Sequence, residues 1–453
     1  LGMISIRIHM RILGCKVNQA ETDSMLDMLK AAGANIVEFD EKADIYIVNT
    51  CSVTNIADKK SRQMLHRARK MNPDGIVIAA GCYVQSAREI LEQDEAIDIV
   101  ISNNKKKSIT EIVNDYINVR NNEKNAPGKD HEAMEYFVDI SRETEYEEMG
   151  GHVPVGHTRA YVKIQDGCNQ FCSYCIIPYV RGRIRSRSQE AILAEVSELA
   201  EAGIKEVVLT GIHISSYGKD KNNEGALIEL IEAISKIKGI KRIRLGSLEP
   251  GIITEEFVER ISSNSKVCPH FHLSLQSGCD SVLKRMNRKY TCEQYFEKCD
   301  MLRKAYKSPA LTTDVIVGFP GETEEEFAET VRYLTELNLY EMHIFKYSPR
   351  KGTVAAAMKE QVAPEIKNER SDVLLKLAHD NKTAYEAQFE GCELEVLVEE
   401  VVKKDNKTYL RGHTERYMDI LIDVGDISMP ESFVNSFVYV TYTQNGGNLP
   451  LLL

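Results

Sequence analysis

No apolar run in the 453-residue chain approaches the ~20 residues needed to cross a bilayer. The first residues, LGMISIRIHMRILG, carry no charged leader, continuous apolar core or small-residue cleavage site, so no secretory signal is expected. There is no internal repeat and no low-complexity tract. Positive charge is also in deficit: 57 Lys and Arg against 68 Asp and Glu leave a formal net charge of −11. A protein whose binding is dominated by phosphate contacts would not carry that balance, so a nucleic-acid partner must be met by local basic patches. Disulfide staples are not needed in so large a chain, and its 11 cysteines are an odd number. In a reducing compartment such thiols bind metal, act in catalysis or pack. A cytoplasmic protein that makes no membrane contact is the expectation.

The hydrophobic fraction of 43% can build real cores, and the length suggests roughly three domains. Residues 1–119 alternate strands and helices: RIHMRIL, IYIVN, GIVIAAG and DIVIS read as strands, with a helical pattern from Glu21 to Gly33 and a basic one from Ala57 to Met71. This rhythm predicts a Rossmann-like parallel sheet. Residues 120–157 are polar, acidic and punctuated by Gly and Pro, and read as a linker with one strand, YFVDI. Over residues 158–384 alternation resumes in six units whose strands are AYVKIQ, EVVLTG, IRLGS, FHLSLQ, TTDVIVG and EMHIFKY. Six units without a seventh predict an incomplete (β/α)6 TIM-like barrel, open on one side, ending in a helical connector from Ala363 to about Phe389. Residues 385–453 hold short alternating strands, the pattern of a small antiparallel β-barrel of OB-like size. The fold class is therefore α/β with an all-β C-terminal domain.

The most specific motif is DGCNQFCSYCIIPYVRG, which sets Cys168, Cys172 and Cys175 in a C-x3-C-x2-C pattern directly after the first barrel strand. Three thiolates so spaced can wrap one face of an iron–sulfur cluster and leave one iron open. A closed zinc site would want a fourth ligand, and none lies at ribbon spacing; three packed or zinc-binding cysteines are the alternative. Three further cysteines, Cys15, Cys51 and Cys82, each follow a strand of the N-terminal sheet. In an open α/β sheet those strand ends share one edge, where ligands bind. Convergence into a second cluster is one reading, and three small packed residues is the other. Cys268, Cys279, Cys292, Cys299 and Cys392 show no ligand spacing and read as packing residues.

C-x3-C-x-aromatic-C after the first strand of a six-unit barrel, with Tyr174 in the aromatic slot, resembles the radical S-adenosylmethionine superfamily. Adding LGCKVNQAETDSM, VNTCSVTN and AGCYVQ, nearly the whole chain resembles the methylthiotransferase family. That resemblance implies an N-terminal cluster domain, a radical barrel and a C-terminal RNA-binding TRAM domain. It also implies two 4Fe–4S clusters, one on Cys168, Cys172 and Cys175 that binds S-adenosylmethionine, and an auxiliary one on Cys15, Cys51 and Cys82. Tyr174, Thr210, Gly211, Ser247, Glu249, Gln276 and Asp314, at barrel strand ends, become candidates for S-adenosylmethionine contact; capping or loop-closing polar residues are the alternative for each. GFPG, Gly318 to Gly321, either lets backbone approach the adenine or closes a tight turn. His213 lies near the same site but reads equally as structural.

LGCKVNQAE, KIQDGC and LTGIHISSYG look most like the branch acting on N(6)-threonylcarbamoyladenosine beside the anticodon of tRNA. The alternatives are isopentenyladenosine in tRNA, ribosomal protein S12 and, from another class, a non-catalytic zinc-dependent RNA-binding protein. The resemblance implies that one S-adenosylmethionine methylates sulfur held by the auxiliary cluster. A second yields the radical that removes hydrogen from adenine carbon 2. The expected partners are a tRNA substrate and a low-potential electron donor of flavodoxin or ferredoxin type, and the chain is expected to act as a monomer. Arg181, Arg183, Arg185 and Arg187 in YVRGRIRSRS are candidates for phosphate or for the threonyl carboxylate, since guanidinium matches both bidentately. Lys59, Lys60, Arg62, Arg67, Arg69 and Lys70 form a basic helical stretch whose plainer reading is a solvated face. From Tyr385 to Leu453, 12 acidic residues stand against 5 basic ones, a net of −7. For tRNA binding that is awkward, unless Lys403, Lys404, Lys407, Arg411 and Arg416 share one face or the domain mainly shapes the site.

Overall fold

The computed structural model describes residues 6–38, 41–122, 136–151, 158–405, 407–425, 429–444 and 446–448. The N-terminal unit is a parallel sheet of β1 (Arg7–Ile12), β2 (Asn35–Ile36), β3 (Ile45–Thr50), β4 (Ile76–Gly81) and β5 (Ile99–Ile101), ordered β2-β1-β3-β4-β5. Its helices are α1 (Lys16–Ala31), α2 (Asn55–Met71), α3 (Cys82–Ser86), α4 (Arg88–Glu92) and α5 (Ile109–Asn122). Both central strands are buried at every position, as expected of parallel strands covered on both faces. Period-2 alternation divides them: Ile45 and Ile47 enter one core with Met25 and Ile112, while Tyr46 and Val48 enter the opposite core with Leu65 and Leu91. Helix α1 begins at Lys16, one full turn before the position read from the sequence.

The segment YFVDI is not a strand. Its extended backbone lies against the loop after β5, where Ser102 N–H donates to the Tyr136 carbonyl (3.2 Å) and the Ser102 hydroxyl accepts from Val138 N–H (3.0 Å). A side-chain hydroxyl takes the place of a ladder partner there.

The central unit is an open half-barrel in two pieces. One is β7-β6-β8-β9, from β6 (Arg159–Asp166), β7 (Arg185–Ser186), β8 (Glu206–Gly211) and β9 (Arg242–Leu245); the other is β10-β11-β12, from β10 (His270–His272), β11 (Ala310–Val317) and β12 (Glu341–Lys346). Single bridges, Ile243 to Val267 and Leu248 to Leu273, join the pieces. Helix α6 (Ile177–Val180) follows β6, and α7 (Gln189–Glu201), α8 (Ala226–Ser235), α9 (Glu255–Ser262), α10 (Asp280–Arg285), α11 (Cys292–Ala305) and α12 (Glu324–Leu337) alternate with the later strands. Val207, Leu209, Ile243, Phe271, Leu273 and Val315 point outward into the helix-packed core. Alternate residues of the same strands therefore line the concave interior.

Helix α13 (Pro364–Ala387) leads to a closed barrel of β13 (Glu393–Lys404), β14 (Lys407–Thr414), β15 (Asp419–Asp423), β16 (Phe437–Thr443) and β17 (Gly446–Asn448). Its pairs are antiparallel except β15–β17, which is parallel and closes the barrel. Among the described residues no helix is long and apolar enough to cross a membrane.

Candidate metal centres

In the N-terminal sheet Cys15 caps α1, Cys51 follows β3 directly and Cys82 is the first residue of α3. All three stand at the carboxyl edge of the sheet, at helix starts or strand ends. The loops touch: a Cβ added to Gly14 would lie 3.1 Å from Cys51 Sγ. Burial, then the Cys82 thiol and more weakly that of Cys15, push Cys51 up to about 11. The three thiols thus share one environment.

The second triad follows β6. Cys168 is buried and its sulfur accepts from Gln170 N–H at 3.4 Å, while Cys175 N–H donates to the Cys172 carbonyl at 3.0 Å, closing a tight turn. Burial and the Cys172 thiol push Cys168 up to about 11 and Cys175 up to about 12. Such crowded thiols become ligands only beside a cationic centre. Tetrahedral zinc, with Zn–S of about 2.3 Å, would hold its sulfurs about 3.8 Å apart. Among the described residues, His272, Asp314 and His343 are the only trio of ligand atoms within 4.8 Å of one another. Neither cysteine triad is drawn in to that spacing; three thiols apiece is the donor set of a cluster that leaves one iron open.

The loop of the second triad reaches the first through Cys82. Cys82 packs with Ile176 and with Ile177 and Val180 of α6, which begins two residues after Cys175. Arg181, at the end of α6, donates from Nε to Cys82 Sγ at 3.2 Å and from Nη1 and Nη2 to Glu21 at 2.5 and 3.2 Å. Glu21 on α1 also pairs with Lys163 (2.7 Å) and Lys106, and Asp166 takes Lys163 (2.6 Å) and Arg181 (3.1 Å). The surrounding cations hold the Glu21 carboxyl well below the ordinary range against the opposing effect of its burial. A second staple is Arg350, which donates to Ser52, Asn55 and Asp58, each at 2.7 Å.

The arginine run is corrected by this geometry. Arg181 is fully buried, Arg185 is buried with its guanidinium on the carbonyls of Arg181 and Arg183, and Arg187 is buried against Glu148 and Glu195. None presents to an external phosphate. Arg183 alone is exposed, and lies 4.5 Å over the Phe171 ring.

Of the S-adenosylmethionine candidates, Glu249 is tied to the second triad through Arg288, and Tyr174 lies within it in sequence. Thr210 and Gly211 end β8; a Cβ on Gly211 would meet the Gln165 carbonyl and the Ile214 side chain at 3.0 Å, so glycine there allows close packing against β6 and the loop that follows β8. Glu249 accepts from Arg288 Nη2 (2.9 and 3.0 Å) and lies 3.5 Å from the His213 ring, while the His213 backbone N–H donates to Gln165 Oε1 (2.8 Å). Arg288 completes the chain by donating to Cys172 Sγ at 3.2 Å. No motif marks Arg288, so sequence reasoning missed it; its sole signal is a basic residue in the polar stretch after α10. Ser247 bonds Ser274 at 2.8 Å, and Gln276 holds a left-handed φ of 79°. Tyr174 packs with Phe319 and Tyr347, adjoining the GFPG turn, in which Gly318 and Gly321 both have positive φ. Asp314 lies deeper in the barrel, 3.3 Å from His272.

Of the other cysteines, Cys268, Cys279 and Cys299 are buried packing residues, Cys292 is half-buried and Cys392 is exposed, so the last does not pack. On α2, Lys59, Lys60, Arg62, Arg67 and Lys70 are exposed, whereas Arg69 is half-buried and pairs with Asp98. In the C-terminal barrel Arg411 pairs with Glu400 and Asp419, Lys407 with Asp423 and Arg416 with Glu415, while Lys403 and Lys404 remain exposed. That barrel closes the lower end of the half-barrel: Arg242 and Arg244 donate to the carbonyls of His413, Glu395, Glu415 and Thr414.

Comparison with known proteins agrees with this layout. Residues 162–334 match the Radical SAM superfamily, and residues 7–102 match the family described as "Uncharacterized protein family UPF0004". The threonylcarbamoyladenosine tRNA methylthiotransferase MtaB of Bacillus subtilis is 39% identical over 92% of this chain and 90% of the relative. The protein of the same name from Aquifex aeolicus is 37% identical over 92% and 98%. The tRNA-2-methylthio-N(6)-dimethylallyladenosine synthase of Thermoanaerobacter pseudethanolicus is 35% identical over 96% and 90%. Among solved structures, the radical S-adenosylmethionine methyltransferase TsrM of Kitasatospora setae superposes with a TM-score of 0.57 at 15% identity, covering 78% of this chain and 77% of that one, which shows a shared fold. With both cysteine triads in place and identity of this depth over nine-tenths of its length, the chain belongs to the methylthiotransferase family of radical S-adenosylmethionine enzymes.

Proposed function

We propose that this enzyme converts N(6)-threonylcarbamoyladenosine beside the anticodon of tRNA to its 2-methylthio derivative. As a member of its family it uses S-adenosylmethionine and two 4Fe–4S clusters; Cys168, Cys172 and Cys175 hold one, and Cys15, Cys51 and Cys82 the other. When bound, these groups supply radical and sulfur-transfer chemistry, which no side chain provides for an unactivated aromatic carbon–hydrogen bond. The observation that carries the reading is the apposition of the triads: a loop that begins at one of them reaches Cys82 through Arg181 at 3.2 Å.

The chain's own residues position and seal. Arg288 joins Cys172 and Glu249 through one guanidinium. The Glu21 hub and the Arg350 staple hold the N-terminal unit over the open side of the half-barrel, excluding water around a base inserted between the triads. A low-potential flavodoxin- or ferredoxin-like donor and a monomeric, cytoplasmic enzyme complete the proposal. Anaerobic reconstitution should give about eight irons per chain. Nucleoside mass spectrometry of tRNA from cells lacking the gene should show loss confined to 2-methylthio-N(6)-threonylcarbamoyladenosine. Loss of the isopentenyl derivative instead would reassign the substrate, and zinc without iron would end the enzymatic reading.

A further inference from the structure

The floor of the half-barrel is a converging set of cationic and imidazole groups that neither triad uses. Arg159 and Tyr161 of β6, Arg244 of β9, His270 and His272 of β10 and His343 of β12 alternate with outward, core-packed residues such as Ala160, Ile243, Phe271 and Met342. They therefore face inward together. Two other domains complete the surface. Lys16, adjoining Cys15, enters from α1, and Tyr417 enters from the C-terminal barrel, with Arg159 5.0 Å and Arg244 4.7 Å over its ring and His270 5.3 Å from it. The His272 and His343 rings stack at 5.8 Å.

The acids here are already committed. Glu206 is held by Arg244 at 2.8 Å, Glu399 by Arg159 at 3.2 Å and by His413 at 2.7 Å, and Asp314 by His272 at 3.3 Å. Lys16 is the surplus cation: among the described residues it has no ion pair, and its ammonium lies 6.0 and 5.9 Å from the ring centres of Tyr161 and Tyr417. The pKa of His270 is held well below its ordinary value by burial, then by Arg244, Lys16, His272 and His343. Buried His270 Nδ1 and Arg159 Nη1 have no hydrogen-bond partner, an arrangement rare in proteins unless a ligand supplies one. His272, Asp314 and His343 also have metal-ligand spacing, but Lys16, Arg159 and Arg244 oppose a divalent cation and favour an anion.

We infer that this floor is the subsite for the carboxylate of the substrate's threonyl arm, with Lys16 as its counter-charge and His270 and His343 as hydrogen-bond donors. The inference rests on the proposed substrate and moves carboxylate recognition from the buried arginine run to a surface built by all three domains. A branch acting on an uncharged isopentenyl arm would have no use for it.

The test measures binding of three anticodon stem-loop RNAs to the reconstituted holoenzyme. They carry N(6)-threonylcarbamoyladenosine, the same nucleoside with its carboxylate converted to a primary amide, or plain adenosine. The wild type should bind the carboxylate RNA about tenfold or more tighter than the amide RNA. Lys16→Gln should abolish that difference, and His343→Gln should reduce it, with iron content per chain reporting an intact fold in both. Equal binding of carboxylate and amide RNAs by the wild type would overturn the subsite even if the enzyme methylthiolates both. Failure of the wild type to methylthiolate the carboxylate RNA would overturn the substrate reading itself. Tight Mn(II) binding lost in His343→Gln would overturn the subsite in favour of a metal.

Discussion

Two buried residues carry charges that only their partners make tolerable. Glu21 sits among Arg181, Lys163 and Lys106 with its side chain almost wholly buried. Removing one partner from a buried hub leaves uncompensated charge, so Glu21→Gln should cost about 3–5 kcal/mol of stability, read by denaturant unfolding. The folded-state carboxyl lies well below its ordinary value. Its contribution is therefore whole above the unfolded pKa of about 4.3 and is lost as pH falls below it toward the folded one. The gap in stability between wild type and Glu21→Gln should accordingly narrow in acid. Arg288 is the second case. Its guanidinium donates to the Cys172 sulfur, and hydrogen bonds and positive charge at a ligating sulfur raise a cluster's potential. Arg288→Gln should lower the midpoint potential of the S-adenosylmethionine-binding cluster in a redox titration followed by electron paramagnetic resonance.

Elements were more legible in the sequence than the contacts between them. The cysteines at the carboxyl ends of β1, β3 and β4 could be placed because near-continuous apolar runs specify parallel strands, and such strands share one edge. The start of α1 was misread because Cys15 and Asn18 look like loop residues, yet Cys15 caps the helix and Asn18 donates to the Leu13 and Thr50 carbonyls from within it. The arginine run was misread because alternating Arg gives no hint of which carboxylates, up to 160 residues away, will bury it. Two glycines test whether the cysteine edges are separate devices. Gly81 (φ 96°) and Gly167 (φ 71°) adopt left-handed backbone, and a Cβ would overlap the Thr50 carbonyl at the first and the Arg183 carbonyl at the second. Each Ala substitution should reduce iron from about eight to about four per chain. Gly167→Ala should abolish 5′-deoxyadenosine formation, whereas Gly81→Ala, like Cys51→Ala, should retain it while losing methylthiolation. Loss of 5′-deoxyadenosine in a well-folded Cys51→Ala protein would contradict this division.

At the scale of the whole molecule the N-terminal sheet, the half-barrel and the C-terminal barrel pack on one another, and the residues that join them are far apart in sequence. Arg350 meets Asp58 across 292 positions, and Arg244 meets Thr414 across 170. Periodicity and motif spacing report only local order, so neither could reveal these pairs. The acidic C-terminal barrel is consistent with the alternative that it shapes the site: most of its basic residues are paired internally, and it inserts Tyr417 between Arg159 and Arg244. Arg350 offers the sharpest test of arrangement as a function in itself. It touches no cysteine of either triad, but through Ser52 and Asp58 it fixes the loop that follows Cys51. Arg350→Ala should therefore keep about eight irons and normal 5′-deoxyadenosine formation without RNA. In the presence of substrate RNA, the sulfur site and the radical site would no longer be held in register. The ratio of 5′-deoxyadenosine to methylthiolated nucleoside should then rise severalfold above wild type. An unchanged ratio would mean that the Glu21 hub alone sets the domain geometry, and that Arg350 serves only to anchor α2.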